Sequence, residues 1–105
     1  MLHIHRKLMS LNDQLVIPDA VKQDANSFEL LRVWVANKEQ HVSLRAGVWN
    51  DPAAWGIMLA DLARHVANSY HQDAGLDRKR ALQRIKVALE AELSAPTDSP
   101  SGQIR

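Results

Sequence analysis

Arg45-Ala46-Gly47-Val48-Trp49-Asn50-Asp51-Pro52-Ala53-Ala54-Trp55-Gly56 is where this chain turns from extended to helical. Asp51 suits a helix N-cap, because its carboxylate can accept one of the amide protons left unpaired at a helix start. Pro52 suits the first helical position, where its missing N–H costs nothing. A tryptophan stands on each side of this start. The stretch divides the chain into an extended part before it and a helical part after it.

Upstream, Glu29–Ala36 and His41–Arg45 show a period of two and many β-branched and aromatic residues, which predicts a β-hairpin. Asn37-Lys38-Glu39-Gln40 is the expected turn. Pairing Ala36 with His41 sets Val35 opposite Val42, Trp34 opposite Ser43, Val33 opposite Leu44, and Arg32 opposite Arg45. Side chains alternate across a strand. One face then carries Leu31, Val33, Val35, Val42 and Leu44, and the other carries Arg32, Trp34, His41, Ser43 and Arg45. A slip of one residue would mix the two sets. Further upstream, Gln14-Leu15-Val16-Ile17 before Pro18 suggests a short third strand. Residues 19–27 fit either a helical turn or a loop.

Downstream, Trp55, Met58, Leu59, Leu62, Val66 and Tyr70 fall on one face at helical spacing. They predict a helix from Pro52 to about Tyr70, stopped by Gly75. A second helix starts near Asp77 and runs to about Leu93, with Leu82, Ile85, Leu89 and Leu93 as its apolar stripe. The short connection makes the two helices antiparallel neighbours. Gly56, Ala60, Ala63 and Ala67 flank the first stripe and would let a neighbouring backbone approach closely.

The fold class is therefore α+β: a small antiparallel sheet packed on one face by two antiparallel helices (about 52–70 and 77–93). The expected core is Leu31, Val33, Val35, Val42, Leu44, Trp55, Leu59, Leu62, Val66, Leu82, Ile85 and Leu89. Residues 1–12 are expected to be a flexible segment and 13–94 a single domain. Residues 95–105, rich in Pro, Ser and Gly, are expected to be a disordered tail. Met9 is an alternative natural start to Met1.

Composition narrows the function. The 105 residues are 46% hydrophobic and 24% charged, which suits one small globular domain. There is no cysteine, so thiol catalysis, disulfides and thiolate metal sites are excluded. The net charge of +1 gives no global field for nucleic acid or an anionic membrane. The apolar runs fall short of the roughly 18 residues of a membrane span. The N-terminal residues lack the order of a signal peptide. The expected location is the cytoplasm.

The polar hairpin face is the foremost candidate site. Arg32 and Arg45 as cross-strand neighbours repel unless an anion, a carboxylate such as Glu29, or a partner protein offsets them. Trp34 beside them adds an aromatic surface, and Trp and Arg are enriched at interface hot spots. The plainer alternative is two solvated guanidinium groups stacked on Trp34. His41 and Ser43 share this face but lack a nucleophile elbow or a placed acid.

Asp61, Arg64 and His65 form a secondary polar candidate, since a carboxylate four residues from a histidine can orient a general base. No third metal ligand stands at useful spacing. His3 and His5 form a His-x-His pair near the terminus, where metal binding would be adventitious. The four glycines make no phosphate-binding loop. Arg78, Lys79, Arg80, Arg84 and Lys86 give the second helix a basic first half. Arg80 and Arg84 project away from Arg78, so a continuous nucleic-acid stripe is disfavoured.

No catalytic residue, cofactor or metal is assigned. A core of about 80 residues supplies only about 3–5 kcal/mol, so burial against a protein partner or a second copy is expected. The chain reads best as a small interaction or accessory module. The alternative is a small-anion binder or enzyme using Arg32, Arg45 and His41. Nucleic-acid binding through helix 77–93 is the weaker alternative.

The words Glu29-Leu30-Leu31-Arg32-Val33-Trp34-Val35, His41-Val42-Ser43-Leu44-Arg45, Gly47-Val48-Trp49-Asn50-Asp51-Pro52-Ala53-Ala54-Trp55-Gly56-Ile57-Met58-Leu59 and Asp61-Leu62-Ala63-Arg64-His65-Val66 carry a resemblance. Over residues 29–66 the chain resembles a small alphaproteobacterial family defined as a domain of unknown function. The resemblance implies a bacterial, soluble, single-domain protein, and it implies no activity, ligand or catalytic residue.

Overall fold

The structure is a computed structural model that describes residues 14–97 and the backbone of 101–104. The expected flexible segment 1–12, the His3/His5 pair and the choice between Met1 and Met9 lie outside the described residues. The fold is α+β. It divides between Ala46 and Gly47 into a hairpin unit and a helical unit.

In the hairpin unit, residues 14–18 form no strand, and Leu15 is 95% exposed. This corrects the suggested strand near 14–17. So short a segment, ending at a proline, offers a brief ladder with one donor missing. Pro18 instead opens a single helical turn, α1 (Asp19–Gln23), whose Val21 N–H donates to Pro18 O at 3.0 Å.

Strands β1 (Leu31–Ala36) and β2 (Glu39–Leu44) form the antiparallel hairpin. Its register differs by two residues from the expected one. Ala36 pairs with Glu39, Val35 with Gln40, Trp34 with His41, Val33 with Val42, Arg32 with Ser43 and Leu31 with Leu44. The cause is the turn. Asn37 and Lys38 both take positive φ, 54° and 63°, and close a two-residue turn of the primed kind that matches strand twist. A shift of two preserves the faces, so the apolar and polar sets survive intact. Strand β3 (Ser101–Ile104) falls within the Pro-, Ser- and Gly-rich stretch 95–105. It runs parallel to β2 on its other side, giving the order β1-β2-β3.

The helical unit holds α2 (Ala53–Ala74) and α3 (Arg78–Ser94). At the start of α2, Asp51 Oδ1 accepts from Ala53 N–H at 2.9 Å, and Pro52 is helical at φ −55°. Trp49 and Trp55 meet edge to face across this start, with ring centroids 5.2 Å apart. The helix runs one turn past Tyr70 and ends at Gly75. Gly75 takes φ 68°, and its N–H donates to His71 O at 2.9 Å. That left-handed cap is the conformation glycine adopts with least strain. Asp77 caps α3 through Oδ2, which accepts from Arg80 N–H at 3.1 Å.

The core is smaller than the apolar pattern predicts. Among the described residues only Ala67 on α2 and Ala81 on α3 are buried, at 2% and 3% exposure. Leu31, Val42, Leu44, Trp55, Leu82 and Ile85 are half-buried. Val33, Val35, Leu59, Leu62, Val66 and Leu89 stay exposed. The two helices are in contact, and the one buried residue on each is an alanine. Ala67 from the Gly56–Ala67 series sits at that contact, and Ala63 beside it is half-buried.

Candidate functional site

Strand β1 and the end of β2 hold a groove of about 300 Å³ lined by Glu29, Leu30, Leu31, Arg32, Ser43, Leu44 and Arg45. The corrected register builds it. Arg32 faces Ser43, and Arg45 lies one step beyond β2, where its N–H donates to Leu30 O at 3.0 Å. The two arginines are thus diagonal neighbours rather than directly opposed.

Glu29 joins them. Its carboxylate receives Arg32 Nε–H at 2.7 Å, and its backbone carbonyl receives Arg45 Nε–H at 2.8 Å. Of the three offsets available for paired guanidinium groups, the chain supplies the carboxylate itself. Each cation also sits on an aromatic ring: Arg32 lies 5.8 Å from the centroid of Trp34, and Arg45 lies 5.8 Å from that of Phe28. Phe28 escaped the sequence reading. Alternation could have revealed it, since Phe28 continues the series Trp34, Arg32, Leu30 back along the polar face.

Trp34 is half-buried and pairs with His41. His41 Nε2 lies 3.2 Å from Ala36 O, and because a carbonyl only accepts, that nitrogen carries the proton. His41 is thereby turned to the hairpin tip. Arg32, Ser43 and Arg45 share the groove, while Trp34 and His41 extend the same face toward the turn.

On α2, Asp61 pairs with Arg64 at 3.1 Å, both groups being 64% exposed. His65 is not its partner. Arg64 also lines a groove of about 180 Å³ with Ala67, Asn68, Arg78, Lys79 and Leu82. Three cations therefore converge where α2 meets the start of α3. Among the described residues no three His, Asp or Glu side chains are grouped to hold a metal ion. No described helix is long and apolar enough to cross a membrane.

These features define a small α+β chain in which Glu29 holds two neighbouring arginines of the hairpin, Arg32 through its carboxylate and Arg45 through its backbone carbonyl. Residues 14–97 match the family described as a domain of unknown function (DUF5076), and the chain belongs to that family. A search of curated proteins finds no match. A similar solved structure comes from the photosynthetic bacterium Rhodopseudomonas palustrus CGA009 and is described as a "putative pyruvate dehydrogenase". It is 35% identical, with 87% of this chain and 93% of that chain covered and a TM-score of 0.69.

Proposed function

We propose that this chain is a small non-catalytic bacterial interaction module of the cytoplasm, working by association with a second copy or with a larger partner as an accessory subunit. One observation carries the reading. Only two small residues are buried among those described, while Val33, Val35, Leu59, Leu62 and Leu89 are 45–53% exposed. Burying a Val or Leu fully is worth about 1.5–3 kcal/mol, so each of these leaves roughly half of that unused. A domain with little core of its own gains most from a protein surface that covers such residues.

The test is thermal melting over a hundred-fold range of protein concentration. Mass action raises the melting temperature of an assembling protein with concentration. A melting temperature independent of concentration contradicts self-association.

The groove supports a second reading, binding of a small anion at Arg32 and Arg45, with His41 outside the groove lining. The pyruvate chemistry in the name of the Rhodopseudomonas neighbour is said of that protein. A carboxylate entering this groove meets an Arg32 already held by Glu29 at 2.7 Å, so we take no dehydrogenase activity from it. Calorimetry with inorganic phosphate and with pyruvate, wild type beside Arg45→Met, tests this reading. Heat lost in the variant supports it, and no heat in the wild type removes it.

A further inference from the structure

We propose that β1 pairs antiparallel with β1 of a second copy, about a two-fold axis through Val33. The proposal rests on the self-association reading and makes it specific.

Hydrogen-bond alternation defines the edge. Next to a two-residue turn the closing pair, Ala36 with Glu39, is the hydrogen-bonded kind, and the kinds then alternate. Trp34 with His41 and Arg32 with Ser43 follow, and the Arg45 N–H to Leu30 O bond of 3.0 Å continues the series. The amides and carbonyls of Leu31, Val33 and Val35 therefore point away from β2. The sheet order leaves that side of β1 without a strand among the described residues. The edge carries few of the usual protections: it has six residues, no proline and one charge, and Val33 and Val35 are 53% and 50% exposed.

The side chains select the register. Outward groups must meet outward groups, which leaves three registers of long overlap. Setting Leu31 opposite Val33 stacks Arg32 against Arg32 of the second copy, a like-charge contact. Setting Val33 opposite Val35 places Trp34 on itself and leaves Arg32 facing Ala36. Setting Val33 opposite Val33 matches Leu31 with Val35 and Arg32 with Trp34, each twice. The Arg32–Trp34 pairs then fall at non-hydrogen-bonded positions, where side chains lie closest. They repeat between copies the cation–ring contact that the chain already makes within itself. The strand is thus self-complementary about Val33, as a two-fold interface requires.

The chain has no cysteine, so a single one is a clean probe. In Val33→Cys the two Cα atoms would stand about 5.5 Å apart across the axis, within disulfide range. Oxidation is expected to convert most of the protein to a linked dimer on a non-reducing gel, while Leu62→Cys, on an equally open part of α2, stays unlinked. Val33→Pro removes an outward N–H and leaves the hairpin ladder intact, and it is expected to weaken dimerisation at least tenfold. A wild-type dimer that links through Leu62→Cys and not Val33→Cys overturns the β1 pairing and leaves self-association standing. Unchanged dimerisation of Val33→Pro also overturns the pairing. A monomeric wild type overturns both readings.

Discussion

The carboxylate of Glu29 meets Nε of Arg32 at 2.7 Å, and the two side chains are 56% and 41% exposed. The same residue holds Arg45 through its backbone carbonyl. Removing the acid therefore leaves Arg32 without its counter-charge, while the bond of Arg45 to the Glu29 carbonyl remains. Water screens exposed pairs, and their worth is a few tenths of a kcal/mol up to about 1. Glu29→Gln is expected to destabilise by about 0.5 kcal/mol in denaturant unfolding. A loss above about 2 kcal/mol would show a desolvated pair and contradict this picture.

Lys38 carries the strain of the hairpin's register. It holds φ 63° in a conformation that costs a residue with a Cβ about 1–2 kcal/mol and glycine far less. Asparagine followed by glycine is the pair this turn prefers, and here the second place is a lysine. Lys38→Gly is expected to stabilise the chain by about 0.5–1 kcal/mol, seen as a higher melting temperature. If the turn spanned four residues, the substitution would be neutral or harmful.

Asp51 caps α2 through its 2.9 Å bond to Ala53 N–H. Asp51→Ala removes that acceptor and is expected to cost about 1 kcal/mol, while Asp51→Ser retains most of it. Equal losses in the two variants would assign the residue's effect to something other than capping.

Glu92 closes the end of α3. The backbone amide of Thr97, at 3.0 Å, and its hydroxyl, at 2.9 and 3.1 Å, hold the Glu92 carboxyl below its ordinary value of 4.5. A carboxylate that ionises more readily in the folded chain stabilises it above the unfolded value. That contribution disappears as pH falls through the lower folded value. The Thr97 amide resonance is expected to titrate below pH 4.5, and Glu92→Gln is expected to abolish the titration. A midpoint above 4.5 contradicts the bonding.

The hairpin faces, the Asp51 and Asp77 caps, the Gly75 stop and the antiparallel helices were legible in the sequence, because each depends on local chemistry or period. The register was misplaced by two, because Asn37-Lys38 lacks the glycine that announces a primed turn. The faces held because two is the strand period. Glu29 was visible as one of several offsets for the arginines; choosing among them needed the fold. The core could not be predicted from apolar stripes. Those stripes show which side chains avoid water, but not whether this chain alone can cover them, and the residues buried among those described are Ala67 and Ala81 instead.

What covers Val33 and the other exposed apolar side chains decides whether this domain works by assembly. Light scattering on the purified chain at tens of micromolar measures this most directly. The chain mass is 11.8 kDa, and about twice that value is expected for the wild type, falling toward the single-chain mass in Val33→Pro. A wild-type mass of 11.8 kDa across the whole concentration range would contradict self-association through β1 and through any other face.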